Sequence, residues 1–277
     1  MKKIIFILIL FLSCYFIYDL TFDDKIYYVS LGDALSKGVN TYGIKTGGYT
    51  DYVKEYLETE NKLEEFNDIY TDTDYRITDL LRMIEYNETK NIKGTEININ
   101  RLLKKADVIT LSVGMNELYY KFNGDNTNIY NYMNELLFDM EELLKYINKY
   151  NHKKVFVLGY YNVLDNQEEI NYINVKLKKI VNDNKFIYVD LSKILDNNPS
   201  YFDKTGNFIP NNEGYLKISK IIIENLKKYW YNISRIYYYD FLSWRKERKK
   251  WKQIFIQNNQ KLNLYVHVEM LLLLILL

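Results

Sequence analysis

Apolar positions follow two rhythms between Lys25 and about Trp230. Short, largely apolar runs at Ile26 to Leu31, Phe66 to Tyr70, Val108 to Val113, Lys154 to Leu158 and Phe186 to Val189 have the length and continuity of strands buried on both faces. Between them, Tyr49 to Leu57, Ile77 to Tyr86, Ile99 to Lys105, Ile129 to Tyr150 and Ile170 to Asn182 repeat their apolar residues at helical spacing. Gly214 to Tyr229, with Tyr215, Ile218, Ile222 and Leu226 in register, predicts a closing helix. Strand and helix alternate throughout, so the expected architecture is α/β: a five-stranded parallel sheet between two helical layers, flavodoxin-like in plan.

The two ends break this rhythm. Met1-Lys2-Lys3 leads into an apolar stretch from Ile4 to Leu12 and then Ser13-Cys14-Tyr15. A basic start with roughly 15 apolar residues has the shape of a secretory signal and falls short of the ~20 of a comfortable span. Residues 1–20 are therefore expected to direct export, with attachment to a bacterial membrane through this end. Leu12-Ser13-Cys14 also resembles the end of a bacterial lipoprotein signal, in which Cys14 would carry lipid. The alternatives are an uncleaved anchor and a Cys14 that is simply a buried structural residue. Residues 25–230 are expected to form the domain. Residues 231–277 are a tail of a different kind, with the basic run Trp244 to Lys252 flanked by tryptophans and an aliphatic end from Met270 to Leu277. A solvated helix is the plainer reading of the basic run, and a face on an anionic membrane the other.

Composition narrows the chemistry. With 37 basic and 36 acidic side chains no global field favours nucleic acid, which is excluded as a partner. One cysteine and two histidines exclude a disulfide framework and argue against a metal centre. No cofactor motif is present.

The strand Ile26 to Leu31 ends in Gly32-Asp33-Ala34-Leu35, a strand-to-helix turn of the kind that presents a reactive side chain at the carboxyl edge of a sheet. Three further blocks follow it in order: Asp74-Tyr75-Arg76-Ile77-Thr78-Asp79-Leu80-Leu81, Ala106 to Glu117, and Phe208-Ile209-Pro210-Asn211-Asn212-Glu213-Gly214-Tyr215. Their order and spacing resemble those of the SGNH/GDSL hydrolases, the lipase and esterase family, over most of residues 26 to 226. Gly47-Gly48-Tyr49 fits the same pattern. The resemblance implies acyl transfer by a serine, a histidine that takes its proton, an aspartate that orients the histidine, and glycine and asparagine donors around the oxyanion.

This chain departs from that pattern at nearly every role. Ala34 stands at the serine position, Asp74 at the oxyanion glycine, and Gly206 and Ile209 at the aspartate and histidine. Asn116 alone is kept. Ser36, two residues past Ala34, is expected to cap a helix, and Ser30 and Ser112 to face the sheet or its helices. His152 falls at the amino edge of the sheet, and His267 in the tail.

The sequence therefore predicts an exported, hydrolase-like fold without hydrolysis, its cleft open to an acylated cell-envelope glycan or a lipid. Asp33, Arg76, Asn116 and Asn211 would line that cleft, and Tyr49 and Tyr75 would offer stacking surfaces. The plainer reading has Asp33 and Asn116 tying loops to helix ends and Arg76 pairing with Asp79. The alternative function is an active ester hydrolase with a rearranged site, using a water activated by Asp33 or Asp74. A decayed product without selected activity is the third reading.

Overall fold

The computed structural model describes residues 25–230, apart from residues 93, 125, 126, 163, 197 and 204–207. Cys14, Gly206, His267 and both terminal segments thus lie outside the described residues. The chain divides into two compact units, Met1–Glu224 and Asn225–Leu277. Of the second, residues 225–230 are described, and they are helical.

In the first unit the element order is β1 (Ile26–Gly32), α1 (Ala34–Lys37), α2 (Tyr49–Thr59), β2 (Leu63–Thr71), α3 (Ile77–Glu85), β3 (Thr89–Ile92), β4 (Thr95–Asn98), α4 (Ile99–Lys105) and β5 (Val108–Ser112). Then follow α5 (Met115–Asn123), α6 (Ile129–Tyr150), β6 (Lys154–Leu158), α7 (Gln167–Asp183), β7 (Ile187–Val189), α8 (Leu191–Leu195) and a 3₁₀ turn at Pro199–Tyr201. A last helix begins at residue 212. The five expected strands form one sheet in the order β2-β1-β5-β6-β7, and all their pairings are parallel. A separate hairpin of β3 and β4 is antiparallel.

Periodicity accounts for the layers. Met133, Leu136, Leu137, Met140, Leu143, Leu144 and Ile147 recur on one face of α6, and all are buried. Ile170, Ile173, Leu177 and Val181 do the same on α7, while every residue of β1 and β5 is buried. Stripes of this kind bury their apolar faces against the central sheet. Among the described residues no helix is long and apolar enough to cross a membrane.

Five of the largest buried side chains are tyrosines, and each spends its hydroxyl inside the fold. Tyr28 bonds Thr110 Oγ1 at 2.9 Å, Tyr49 bonds Ser36 Oγ at 3.0 Å, and Tyr70 donates to the Glu88 and Ile97 carbonyls. Tyr161 and Tyr215 donate to the carbonyls of Phe208 and Val39. The last two bonds pin the loop before the final helix and the loop after α1. A buried hydroxyl is tolerated because it is satisfied.

Gly32 is required where β1 meets β5. Its φ is +132°, and a Cβ there would sit 1.8 Å from the Ser112 carbonyl oxygen. Gly32→Ala should therefore lower stability by on the order of 3 kcal/mol or more, through strain and forced separation of the strand ends. Gly43→Ala, also at positive φ but in open space, should cost only ~1–2 kcal/mol. Urea unfolding of the two variants measures both, and equal losses would contradict the steric argument.

Candidate functional site

β1 has neighbours on both sides, with β2 reached by one crossover and β5 by another in the opposite direction. The gap between the carboxyl ends of β1 and β5 is consequently the switch point at which open α/β sheets bind ligands. Two loops meet there. Asp33 N–H donates to the Ser112 carbonyl at 2.8 Å, which joins the turn after β1 to the end of β5. Asp33 Oδ1 then accepts from Leu35 N–H at 3.2 Å, capping α1. Gly38 closes α1 in the left-handed region, close enough to Gly48 that a Cβ on Gly38 would lie 2.5 Å from Gly48 N. That contact brings α2 against the site.

Ala34 and Ile209, at the positions where the resemblance implies the nucleophile and the histidine, are both buried. Ala34 is only 4% exposed and presents a methyl group. Ile209 is buried among the core residues, in a segment held by the Tyr161 bond to Phe208 and a backbone bridge between Phe202 and Pro210. Asn116 Nδ2 donates to the Thr73 carbonyl, so its amide ties the first turn of α5 to the loop after β2. Asn211 caps the last helix: its Oδ1 accepts from the Glu213 and Gly214 N–H groups, and its Nδ2 donates to the Ser200 carbonyl.

The serines are equally committed. Ser36 is fully buried and donates to the Leu31 carbonyl at 2.7 Å beside Tyr49. It does not cap α1, contrary to expectation, because Asp33 does. Ser30 and Ser112 are buried in the sheet as expected. His152 is exposed, near Asn148, before β6. Among the described residues it is the sole histidine, and it lies at the sheet edge opposite the switch point.

Two cavities flank the switch point. One of about 400 Å³ is lined by Asp74, Arg76, Asn116, Glu117, Tyr120, Lys121 and Tyr132, and so brings three of the expected residues together. Asn211 belongs to the other, of about 620 Å³, with Asn40, Thr46, Ser200 and Asp203 among its walls. Asp33 lies beneath the surface and is wholly buried. Tyr49 is buried too and offers no stacking face. Tyr75 accepts a bond from Lys90, whose ammonium also sits 4.9 Å from the centres of the Tyr70 and Tyr75 rings. Arg76 does not pair with Asp79 through its side chain. Its backbone N–H bonds Asp79 Oδ2, and Arg82 is the arginine near that carboxylate.

Glu117 closes the third block, and the resemblance gives it no role. It stands in the first turn of α5, where an acidic residue is ordinary, yet it lines the smaller cavity and accepts Ile77 N–H through Oε2 at 3.1 Å. Burial pushes its carboxyl up to about 7, despite the Ile77 bond and the nearby Arg76, which favour the ion. Asp33 is likewise raised to about 7, chiefly by burial, with the neighbouring Glu117 adding to it. Its Oδ2 has no hydrogen-bond partner among the described residues, though the Leu35 and Met115 N–H groups and Ser112 temper the shift.

A carboxyl that titrates near 7 when folded and near 3.8 when free makes the native state the better proton binder. Its stabilising contribution is complete below about pH 4, declines as pH rises toward 7, and is flat above. Asp33→Asn keeps the cap and removes the titration. The variant should gain on the wild type between pH 5 and pH 8, with a ceiling near ~1.4 kcal/mol per pH unit across the transition. Urea unfolding at both pH values checks this, and parallel curves for the two proteins would contradict it.

No protein-family model and no curated protein sequence matches the chain. Solved structures do. A lipase, Lip_vut3, from a goat rumen metagenome superimposes with a TM-score of 0.59 at 20% identity, over 72% of this chain and 97% of that one. Axe2, an acetylxylan esterase from Geobacillus stearothermophilus, gives 0.54 at 14% identity, over 72% and 93%. LAE5, an alpha/beta hydrolase from the metagenome of Lake Arreo, gives 0.52 at 15%, over 72% and 94%. Catalytic mutants of Axe2 replace a serine, an aspartate and a histidine three residues after the aspartate. The five-stranded parallel sheet and its flanking helices are thus the fold of an SGNH/GDSL-type esterase.

Proposed function

We propose that this chain is an esterase-fold protein that has given up serine hydrolysis and instead holds an acylated saccharide or a lipid head group at the switch point, outside the cytoplasm. The observation that carries this reading is Ala34. It begins the helix directly after β1, where the resemblance implies the nucleophile, and its methyl group can neither attack nor be activated. Ile209 supports the same reading, since an aliphatic side chain cannot take a proton. Gly206 and Ile209 are three residues apart, the interval between the catalytic aspartate and histidine replaced in Axe2.

Magnitudes favour binding over slow turnover. Loss of a serine nucleophile or its histidine costs on the order of 10⁶ in turnover, and the two losses are not additive. A remnant of roughly 10³–10⁴ over water depends on oxyanion donors. Here the Asn116 amide is engaged by the Thr73 carbonyl, and the carboxylate of Asp74 lines the same cavity, where it opposes a developing anion. Export and membrane attachment rest on the amino-terminal sequence and its Leu12-Ser13-Cys14 motif.

One observation favours a second reading, hydrolysis by a carboxylate-activated water. Glu117 lines a cavity and titrates near 7, as a general base at neutral pH should. Release of p-nitrophenol from p-nitrophenyl acetate separates the readings. The wild type should exceed the blank by no more than a few-fold. Robust turnover abolished by Glu117→Gln would establish the activated water. Robust turnover abolished by Ser36→Ala would make Ser36 the nucleophile and overturn both.

A further inference from the structure

Arg82 on α3 lies within ion-pair range of Asp79 and Glu88. Arg76, at the start of the same helix, has no side-chain ion pair among the described residues, and it lines the 400 Å³ cavity. Lys121 on α5 lines it as well. Its ammonium stands 5.5 Å from the centre of the Tyr132 ring and likewise has no carboxylate partner among the described residues. Two cations from two elements, neither in a salt bridge among the described residues, therefore line one concave site.

We infer that this cavity binds an anionic saccharide, its acidic group held by Arg76 and Lys121 and its ring set against Tyr120. The inference rests on the binding role proposed above and specifies the ligand. A guanidinium and an ammonium together supply charge-assisted donors for a carboxylate or a phosphate. Tyr120 is 69% exposed and offers an amphipathic ring at the mouth, suited to a sugar's apolar face and hydroxyls. The volume is at the small end of ligand sites and fits a group of about one ring. Two carboxyl groups share the walls. Glu117 is held near neutrality by burial and so carries only part of a negative charge at pH 7. Asp74 opposes a bound anion as it would a developing one, but it is exposed, so solvent weakens its effect, and the two cations outweigh it.

Equilibrium dialysis of the full chain at low salt tests the inference with three probes: glucuronic acid, glucose 6-phosphate and glucose. At least one anionic sugar should bind at least tenfold more tightly than glucose, and the preferred one identifies carboxylate or phosphate as the acidic group. Arg76→Gln and Lys121→Gln should each weaken that binding about tenfold, with the urea midpoint unchanged. The two substitutions lie on different elements, so misfolding of one leaves the other decisive. Equal affinity for all three sugars would overturn the inference and leave the binding role standing. Failure of every probe, or retention of full affinity in a correctly folded variant, would also overturn it. Failure of the binding role itself would appear separately, as robust hydrolysis of p-nitrophenyl acetate.

Discussion

The close approach of Gly32 to the Ser112 carbonyl is the constraint on which the rest of the site depends. With no side chain at that point, the ends of β1 and β5 can be joined by the Asp33 N–H to Ser112 bond. The turn that follows has only one residue before helix begins, so Asp33 must cap and Ala34 must stand at the switch point. The Gly38–Gly48 contact then fixes where α2 starts. Each step is steric, and none requires a reactive side chain. The scaffold's local geometry is in this way independent of the chemistry that the resemblance implies.

The residues around that turn have structural work of their own. Asn116 ties α5 to the loop after β2, Asn211 caps a helix, and Ile209 joins the core. The exception is the acid chemistry beneath the surface. One oxygen of Asp33 has no hydrogen-bond partner among the described residues, and burial raises the carboxyls of Asp33 and Glu117 to about 7. A buried carboxyl of this kind is a burden on stability whenever it ionises, which sets it apart from the satisfied tyrosine hydroxyls around it.

Much of the fold was legible because its signals are local and apolar. The strand Lys154–Leu158 and the helices Ile99–Lys105 and Ile129–Tyr150 have the predicted limits. Helix α7 starts three residues earlier than its first apolar residue indicates, since Glu168 and Glu169 occupy a polar first turn favoured by the helix dipole. The β3–β4 hairpin carries no apolar signal, since neither strand has a buried residue, and α1 and α8 are too short to show a period. At the site, the strand-to-helix turn was readable from the apolar run that ends in Gly32-Asp33, whereas the role of Ala34 there rests on the resemblance. Burial was not readable: nothing in the sequence distinguishes the enclosed Asp33 and Tyr49 from residues on a cleft wall. Glu117 looked like any acidic residue at a helix start, and only the tertiary placement of α5 beside Arg76 turns it toward a cavity.

The central claim is that this scaffold contains no activated serine. Mass spectrometry of the intact chain after exposure to a serine-directed fluorophosphonate tests it most directly. The account predicts an unchanged mass under conditions that label an active serine esterase to completion. A stoichiometric adduct on any serine, Ser36 above all, would contradict it.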